Sequence, residues 1–431
     1  MAGEGPEGLA RVISAPPRKS YDHWDKIRHL EPPNDITNDQ WWWSIKWKRN
    51  ALLRELPHTD AEGAPFVYAM PDEVLSALHQ VDQKCGRQIA MPRVVTDDDQ
   101  ARQHYLVNSL MEEAIRSSQL EGATTSRKVA KELLRTGREP RSRSERMILN
   151  NYRALQFMRD QQTLTPNVVI ELQRILTEGT LDDPKSDGSG RLQTVDEERA
   201  AVYDVQDGSL VHSPPPAEQL PERLEMLCEF ANGANDPDQF MHPVIRAILL
   251  HFFLAYDHPF EDGNGRTARA LFYWSMRTQG YWLVEYLSIS SILRKAQSKY
   301  ARAFLLTETD DRDVTYFIIY NLEVMLRAVD EMQKYLRRKT RELADVENAL
   351  KTSAGAFNHR QLALLSNAIR ANLDRSYTFV SHATSHDVTH ETSRRDLSEL
   401  ADRGLLNQRR VGRRMVFTPP PDLAERLTSV T

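Results

Sequence analysis

Residues 258–269 hold side chains that could catalyse a group transfer. His258 is a base whose ordinary pKa, about 6.5, lies near neutrality. Asp262 supplies a hard carboxylate of the kind that holds Mg²⁺. Arg266 and Arg269 are three residues apart, so a helix would carry both on one face, where their planar guanidinium groups suit phosphate. A base, a carboxylate and paired arginines together indicate nucleotide-dependent transfer to a hydroxyl group.

Two predicted helices position this stretch. Apolar residues recur at helical spacing over residues 243–257, and Pro259 discourages continuation of that helix. A second helical pattern follows the turn made by Gly263, Asn264 and Gly265. Glycine lets such a turn direct its N–H groups to one side, at the N-terminus of the second helix. Because helix N-termini bind anions, these three residues predict a polyphosphate cradle.

The same stretch resembles the Fic family signature, His-x-Phe-x-(Asp/Glu)-Gly-Asn-(Gly/Lys)-Arg-x-x-Arg, at every specified position. The resemblance implies transfer of AMP from ATP to a Ser, Thr or Tyr hydroxyl of a protein. It implies that His258 deprotonates the hydroxyl, that Asp262 holds Mg²⁺ on the phosphates, and that Phe260 packs inward. The implied nucleotide-binding residues are Gly263, Asn264, Gly265, Arg266 and Arg269. The competing interpretation, a plain helix–turn–helix with a buried histidine, requires this long motif to match by chance.

A second motif, residues 117–122, lies at the predicted end of an upstream helix. Ser117 and Glu121 share a helix face, and Gly122 is a natural terminating residue. Glu121 therefore lies where the helix dipole is negative, which is unfavourable for a carboxylate. The segment resembles the inhibitory motif (Ser/Thr)-x-x-x-Glu-(Gly/Asn) of Fic proteins. That resemblance implies that Glu121 pairs with Arg269 and blocks correct seating of the γ-phosphate.

Residues 188–216 depart from the helical pattern around them. Residues 201–205 and 209–212 read as two strands, separated by a turn at residues 206–208. They resemble the family's flap hairpin, which implies that a target segment docks by strand addition. Many relatives carry an arginine just before the flap, where this chain has Gln193, so the sequence departs from the family pattern there.

The C-terminal region has the order of a winged helix-turn-helix, with three short helices followed by two strands. Seven arginines and three acids lie between Arg394 and Arg414. Arg394, Arg395 and Arg413 are the candidate contacts to DNA. Winged helices also bind proteins, so both kinds of partner stay open.

Composition restricts the class of protein. The chain of 431 residues carries 56 Lys and Arg against 61 Asp and Glu, so any DNA binding must be local. Its two cysteines cannot form a disulfide framework, and they indicate a reducing compartment. The sequence shows neither a signal peptide nor an apolar run long enough to cross a membrane. We therefore expect a soluble, cytoplasmic protein without membrane contact, and a homo-oligomer stays open.

These patterns predict a mainly α protein with a Fic helical core, a small β-hairpin flap and a C-terminal winged helix-turn-helix. The expected regions are a mobile N-terminus (1–20), a helical region with the inhibitory helix (21–140), the Fic core (141–340) and the winged helix domain (352–431). The expected function is autoinhibited protein adenylyl transfer with Mg-ATP, onto a target protein or onto the protein itself. The alternatives are removal of AMP, transfer of another nucleotide or of phosphocholine, and a nucleotide-sensing DNA-binding regulator. The intact His258 argues against a mere sensor, which needs no base.

Overall fold

The computed structural model describes residues 6–85, 99–183, 186–199, 202–203, 210–233, 240–352, 357–370, 376–411 and 414–429. These residues form two compact units. The first unit contains residues 6–85 and 104–330, and the second contains residues 99–103 and 331–429. Most of the two regions predicted as 21–140 and 141–340 therefore lies in one compact unit.

The N-terminal part of the first unit combines four helices with one hairpin. These elements are α1 (Pro6–Ser14), α2 (Trp24–Ile27), α3 (Asn38–Asn50), β1 (Arg54–Thr59), β2 (Pro65–Tyr68) and α4 (Asp72–Cys85). Helix α1 lies within the terminus that the sequence predicts to be mobile, and Val12 and the following Ala15 are buried against Trp41 and Ile45 of α3. This apolar contact explains why a terminus rich in Gly, Pro and charge still forms a helix.

The rest of the first unit is helical apart from a second hairpin, and its first and last helices each include residues of the second unit. Its elements are α5 (Asp99–Leu120), α6 (Arg127–Thr136), α7 (Arg143–Asp160), α8 (Pro166–Thr177), β3 (Val202–Tyr203), β4 (Leu210–His212), α9 (Leu220–Ala231), α10 (Pro243–Asp257), α11 (Asn264–Thr278), α12 (Ile289–Lys295), α13 (Gln297–Glu308) and α14 (Thr315–Thr352), with 3₁₀ turns at Ala217–Gln219 and Trp282–Tyr286. Helix α10 buries 12 of its 15 residues. A helix that is apolar on all sides belongs in a core, so α10 is the central support of the site.

Polar contacts fix helix α5 against its neighbours. Ser118 Oγ donates to Met147 O of α7 over 3.2 Å, and Asn151 Nδ2 donates to Ala114 O over 3.3 Å. On the next face of α5, the buried Glu113 carboxylate accepts a 2.5 Å hydrogen bond from Ser290 Oγ of α12. Because both faces are held by buried hydrogen bonds, the end of α5 has a defined position in the unit.

The flap hairpin that the sequence predicts is present. Strands β3 and β4 pair antiparallel, with Val202 opposite His212 and Tyr203 opposite Leu210, and the register shifts between these pairs. The predicted turn, residues 206–208, lies outside the described residues. The hairpin is short, in keeping with a mainly helical fold.

The second unit has its own core. Its elements after α14 are α15 (His359–Arg370), α16 (Phe379–His386), α17 (His390–Asp402), β5 (Asn407–Val411), β6 (Arg414–Thr418) and α18 (Leu423–Ser429). Leu365, Leu397 and Phe417 are fully buried, and the buried Asp396 accepts a 2.7 Å hydrogen bond from Arg360 Nε. Three helices followed by an antiparallel hairpin follow the predicted order, and the assignment to the winged helix class stays a prediction.

Two further observations concern membranes and thiols. Among the described residues, no helix has both the length and the apolar character that a membrane span requires. Cys85 and Cys228 are buried free thiols. Burial raises the pKa of each thiol to about 12, so neither is a reactive thiolate near neutral pH.

Candidate active site

The loop between α10 and α11 has a left-handed residue at each end. His258 terminates α10 with φ 45° and ψ 53°, and its N–H donates to Leu254 O over 3.0 Å. Gly263 precedes α11 with φ 88°, and a Cβ at that position would lie 2.9 Å from Thr177 Cγ2. Glycine is thus required at the second bend both for its backbone angle and for space. The two bends bring the predicted base and the predicted cradle to one side of the loop.

Asn264 holds this loop from the inside. Its Oδ1 accepts from Phe260 N over 3.0 Å, and its Nδ2 donates to Phe260 O over 2.7 Å. The Phe260 side chain is fully buried. Asn264 Nδ2 also lies 3.2 Å from His258 Nδ1. One side-chain amide therefore fixes both the backbone of the loop and the plane of the His258 ring.

The His258 imidazole is neutral at pH 7. Burial is the main cause that lowers its pKa to about 4, and the positive charge of Arg199 acts in the same direction. His212 adds to this effect, whereas Glu121 and Asp262 oppose it. A neutral imidazole carries a lone pair that can accept a proton.

Arg266 and Asp262 form a pair beneath the loop. Arg266 is 0% exposed, and its Nη1 donates to Leu176 O over 3.0 Å. Its Nη2 donates to Asp262 Oδ1 over 2.9 Å. Asp262 Oδ2 and Arg266 Nε are buried without a hydrogen-bond partner among the described residues. One nitrogen of the Arg266 guanidinium thus holds the carboxylate, which the sequence alone does not indicate.

Arg269 is held by the end of α5. Its Nε donates to Ser117 Oγ over 2.9 Å, and its Nη2 donates to Glu121 Oε1 over 2.8 Å. Arg269 is only 4% exposed, whereas Glu121 is 35% exposed. The pairing that the resemblance implies is therefore present, between residues 148 positions apart in the chain.

The Glu121 carboxylate lies against the N-terminus of α11. A Cβ built on Gly265 would approach Glu121 Oε1 more closely than the 3.0 Å that real Cβ atoms respect. The N-terminal N–H groups of a helix and its dipole attract negative charge. In this structure, the carboxylate of the chain itself is therefore placed at the anion cradle that the sequence predicts.

The flap is tied to the site by His212. Its Nδ1 lies 2.6 Å from Glu308 Oε1 of α13, and its Nε2 lies 2.7 Å from Tyr256 O of α10. Just before the flap, Gln193 N donates to Pro259 O over 2.9 Å. Both ends of the flap segment thus contact the chain that carries His258.

Sequence reasoning missed Arg199, which lies between Gln193 and the flap. Its Nη1 donates to His258 O over 3.0 Å and its Nη2 to Asp257 O over 2.5 Å. A single arginine in a loop carries no pattern that predicts such a contact.

His251 lies in the core rather than in the site. It is 2% exposed, and its Nε2 is 2.8 Å from Tyr300 OH. Burial lowers its pKa to about 3, so it is a neutral core histidine. Among the described residues, no group of three or more His, Cys, Asp or Glu side chains could hold a metal ion.

The predicted DNA contacts lie in the second unit. Arg394 and Arg395 are exposed on α17, and Arg409 and Arg414 are exposed on the β5–β6 hairpin. Arg413 lies outside the described residues.

Comparison with known proteins agrees with this geometry. Residues 163–276, from the start of α8 to the end of α11, match the Fic/DOC family model. The chain therefore contains a Fic/DOC family domain. The Fic domain contains the loop, the cradle and the flap, whereas Glu121 lies before it.

The relatives cover only part of the chain. A protein adenylyltransferase Fic from Nematostella vectensis is 28% identical over 146 residues, which are 32% of this chain and 31% of that protein. Protein adenylyltransferase fic-1 from Caenorhabditis briggsae is 42% identical over 59 residues, 14% of this chain and 12% of that protein. This chain thus spans less than a third of the length of these curated relatives.

One solved structure shares the fold over most of the chain. The crystal structure of a Fic family protein from Desulfovibrio desulfuricans G20 has a TM-score of 0.53 at 17% identity. The match covers 81% of this chain and 97% of that one. At this identity the likeness shows the fold alone, a Fic helical architecture.

Proposed function

We propose that the protein is an autoinhibited adenylyltransferase that transfers AMP from Mg-ATP to a Ser, Thr or Tyr hydroxyl. The acceptor belongs to a target protein or to the chain itself. The observation that carries the proposal is the position of Glu121, whose carboxylate pairs with Arg269 against Gly265. A carboxylate at a helix N-terminus marks a place that also suits phosphate. The names of the relatives support the same activity.

His258 is the proposed general base. With a pKa of about 4, its imidazole is neutral at pH 7 and can take the proton of an acceptor hydroxyl. The low pKa makes it a weak base, so positioning must supply much of the rate. Asn264 provides that positioning through its contacts to His258 and Phe260.

Asp262 is the proposed residue for Mg²⁺. One carboxylate oxygen is engaged by Arg266, and the other is buried without a hydrogen-bond partner among the described residues. Such an oxygen suits a hard cation, and Mg²⁺ is commonly held by one or two carboxylates together with substrate phosphates. When bound, Mg²⁺ neutralises charge on the phosphates.

The remaining residues are proposed to bind the triphosphate. Gly263, Asn264 and Gly265 start α11, where backbone N–H groups can bind phosphate oxygens. Arg269 can contribute its fork once Glu121 leaves, and Arg266 keeps a buried Nε beside the loop. The chemistry is then in-line attack of the hydroxyl oxygen on the α-phosphorus, with pyrophosphate as the leaving group.

Intact-mass spectrometry tests the proposal. Candidate target proteins and the protein itself are incubated with Mg²⁺ and each nucleoside triphosphate in turn. We expect a mass gain of one AMP with ATP, slow for the wild-type chain. A mass gain from a different nucleotide would identify that nucleotide as the substrate. Loss of AMP from a pre-modified target would establish the reverse reaction. No change with any nucleotide or target would contradict nucleotidyl transfer.

DNA binding by the second unit is a second candidate function, favoured by its surface charge. Asp396 is buried against Arg360, and Glu399 Oε1 accepts from Arg403 over 2.6 Å, so these acids do not offset the exposed Arg394 and Arg395. Exposed arginines on α17 and on the hairpin could together contact phosphates.

We expect the affinity of the full chain for duplex DNA to fall steeply with salt through counterion release. Replacing both Arg394 and Arg395 by alanine should lower the slope of log K against log salt by about 0.9 for each lost phosphate contact. Fluorescence anisotropy at several salt concentrations measures both quantities. Arg403→Ala is the matched control, because Arg403 already pairs with Glu399. An absence of binding at low salt would favour protein docking.

A further inference from the structure

Arg199 connects the flap to the end of α10. Its Nε donates to Pro215 O over 3.0 Å, in the irregular segment that follows the flap, and its Nη1 donates to Gln193 Oε1, before the flap. The same guanidinium donates to His258 O over 3.0 Å and to Asp257 O over 2.5 Å. One half-buried side chain thus bridges both ends of the flap segment and the backbone of His258.

The two carbonyls that Arg199 contacts at α10 belong to the helix end. The last carbonyls of a helix lack partners within it and carry the negative end of its dipole, so a cation there is favourable. His258 itself has φ 45°, a backbone conformation that residues other than glycine rarely adopt. Contacts with neighbouring residues must therefore stabilise it. Among the described residues, Arg199 is the side chain that donates to the His258 carbonyl.

Arg199 forms no ion pair within the described part of the chain. Among the described residues, each of its acceptors is a neutral oxygen. The nearby Asp257 carboxylate accepts from Arg223 Nε over 2.7 Å. The positive charge therefore acts on the His258 ring, and it is one of the causes that keep the imidazole neutral.

Arg191 shows what a purely local arginine does in the same segment. It donates to Asp187 Oδ1 over 2.6 Å and to Glu197 Oε1 over 2.7 Å, and both partners lie within six residues of it. Arg191 thus holds the fold of the segment itself. Arg199 differs because it also donates to two carbonyls at the end of α10.

We propose that Arg199 is a positioning residue, which holds the backbone of His258 and makes the placement of that imidazole depend on the base of the flap. The proposal rests on the proposed role of His258 as general base. Within the described part of the chain, none of the hydrogen bonds of Arg199 goes to Asp262 or to the start of α11. It should therefore govern turnover and leave nucleotide binding unchanged.

The kinetic test uses the Glu121→Gly protein, in which transfer is expected to be measurable. Adding Arg199→Ala should lower kcat by about 10²-fold, the usual cost of misplacing a reacting group by about 1 Å, with KM for ATP unchanged. Arg199→Lys should give an intermediate kcat, since one ammonium cannot reach both helix-end carbonyls in a fixed fork. Arg191→Ala is the matched control and should leave kcat within about twofold, because its contacts stay within the segment.

A two-residue exchange tests whether the position of the guanidinium, rather than its place in the sequence, determines kcat. Gln193 and Arg199 are in contact, so Gln193→Arg combined with Arg199→Gln returns a guanidinium to the same place from a different position in the chain. We expect this exchange to recover part of the kcat lost in Arg199→Ala. A kcat that stays at the parent value in Arg199→Ala, or that falls no further than in Arg191→Ala, overturns the proposal.

Hydrogen exchange decides the positioning role independently of the reaction. Arg199→Ala should speed amide exchange across residues 258–264, and Arg191→Ala should not, at equal melting temperatures. Unchanged exchange in that loop would overturn the proposal. If Glu121→Gly transfers no AMP but the loop exchange responds as expected, the positioning role stands and the proposed function fails.

Discussion

Glu121→Gly should raise adenylyl transfer by about 10²-fold or more over the wild-type chain. The substitution frees Arg269 and removes a negative group from the N-terminus of α11, the proposed phosphate site. With that phosphate correctly placed, the α-phosphorus can face the acceptor in line, and a misplacement of about 1 Å costs roughly 10²-fold. Automodification with labelled ATP measures the gain.

Two variants control this result. Glu121→Gln keeps the size of the side chain and removes its charge, so we expect a smaller gain than with glycine. His258→Ala added to Glu121→Gly should cancel the gain, which separates transfer from background labelling. Unchanged or lower transfer in Glu121→Gly would show that Glu121 is not the brake. A simultaneous loss of AMP removal from a modified target would favour the reverse reaction as the native one.

His258→Ala should lower transfer by about 10²–10⁴-fold while nucleotide binding persists. The range is the usual contribution of a general base. Binding persists because the proposed phosphate contacts, at the start of α11 and at Arg269, do not include the imidazole. Single-turnover kinetics in the Glu121→Gly background measures the rate, and calorimetric titration with ATP measures the affinity.

The surface histidine His79 provides the control for this prediction. It is exposed on α4, so His79→Ala should change neither rate nor affinity. Transfer by His258→Ala at the rate of its parent would remove His258 from the mechanism. Loss of ATP binding together with transfer would instead assign His258 to the nucleotide site.

The sequence predicts the local parts of the site well. The base, the carboxylate and the glycine turn lie within twelve consecutive residues, so their order determines their neighbours. Pro259 and Gly263 mark the end of one helix and the start of the next, and the structure places α10 and α11 on either side of them. The pairing of Glu121 with Arg269 is different, because 148 residues separate them. The family resemblance predicts it, and no periodicity does.

Other features escaped prediction for physical reasons. Strand β1 contains Pro57 and a buried His58, and these residue types do not indicate a strand although its burial alternates. Arg266 donates to Asp262 from a fully buried position. The helical spacing of the arginines does not show that Arg266 is buried. Arg199 donates to backbone carbonyls. Every residue has a backbone carbonyl, so the sequence does not indicate which one accepts.

Under the proposed function, the contact between Glu121 and Gly265 makes inhibition a competition between two groups for one site. The carboxylate and an incoming phosphate require the same bare backbone, so both states depend on the glycine, and a larger residue there would harm each of them. A closed-to-open ratio of about 99 to 1 would correspond to roughly 2.7 kcal/mol. Since buried hydrogen bonds hold α5 at Glu113 and Ser118, the exchange falls to the turn after Ser118, which carries Glu121. The binding of ATP and of a target that displaces this turn is then linked. Such a target raises the affinity for ATP, and ATP raises the affinity for the target by the same factor.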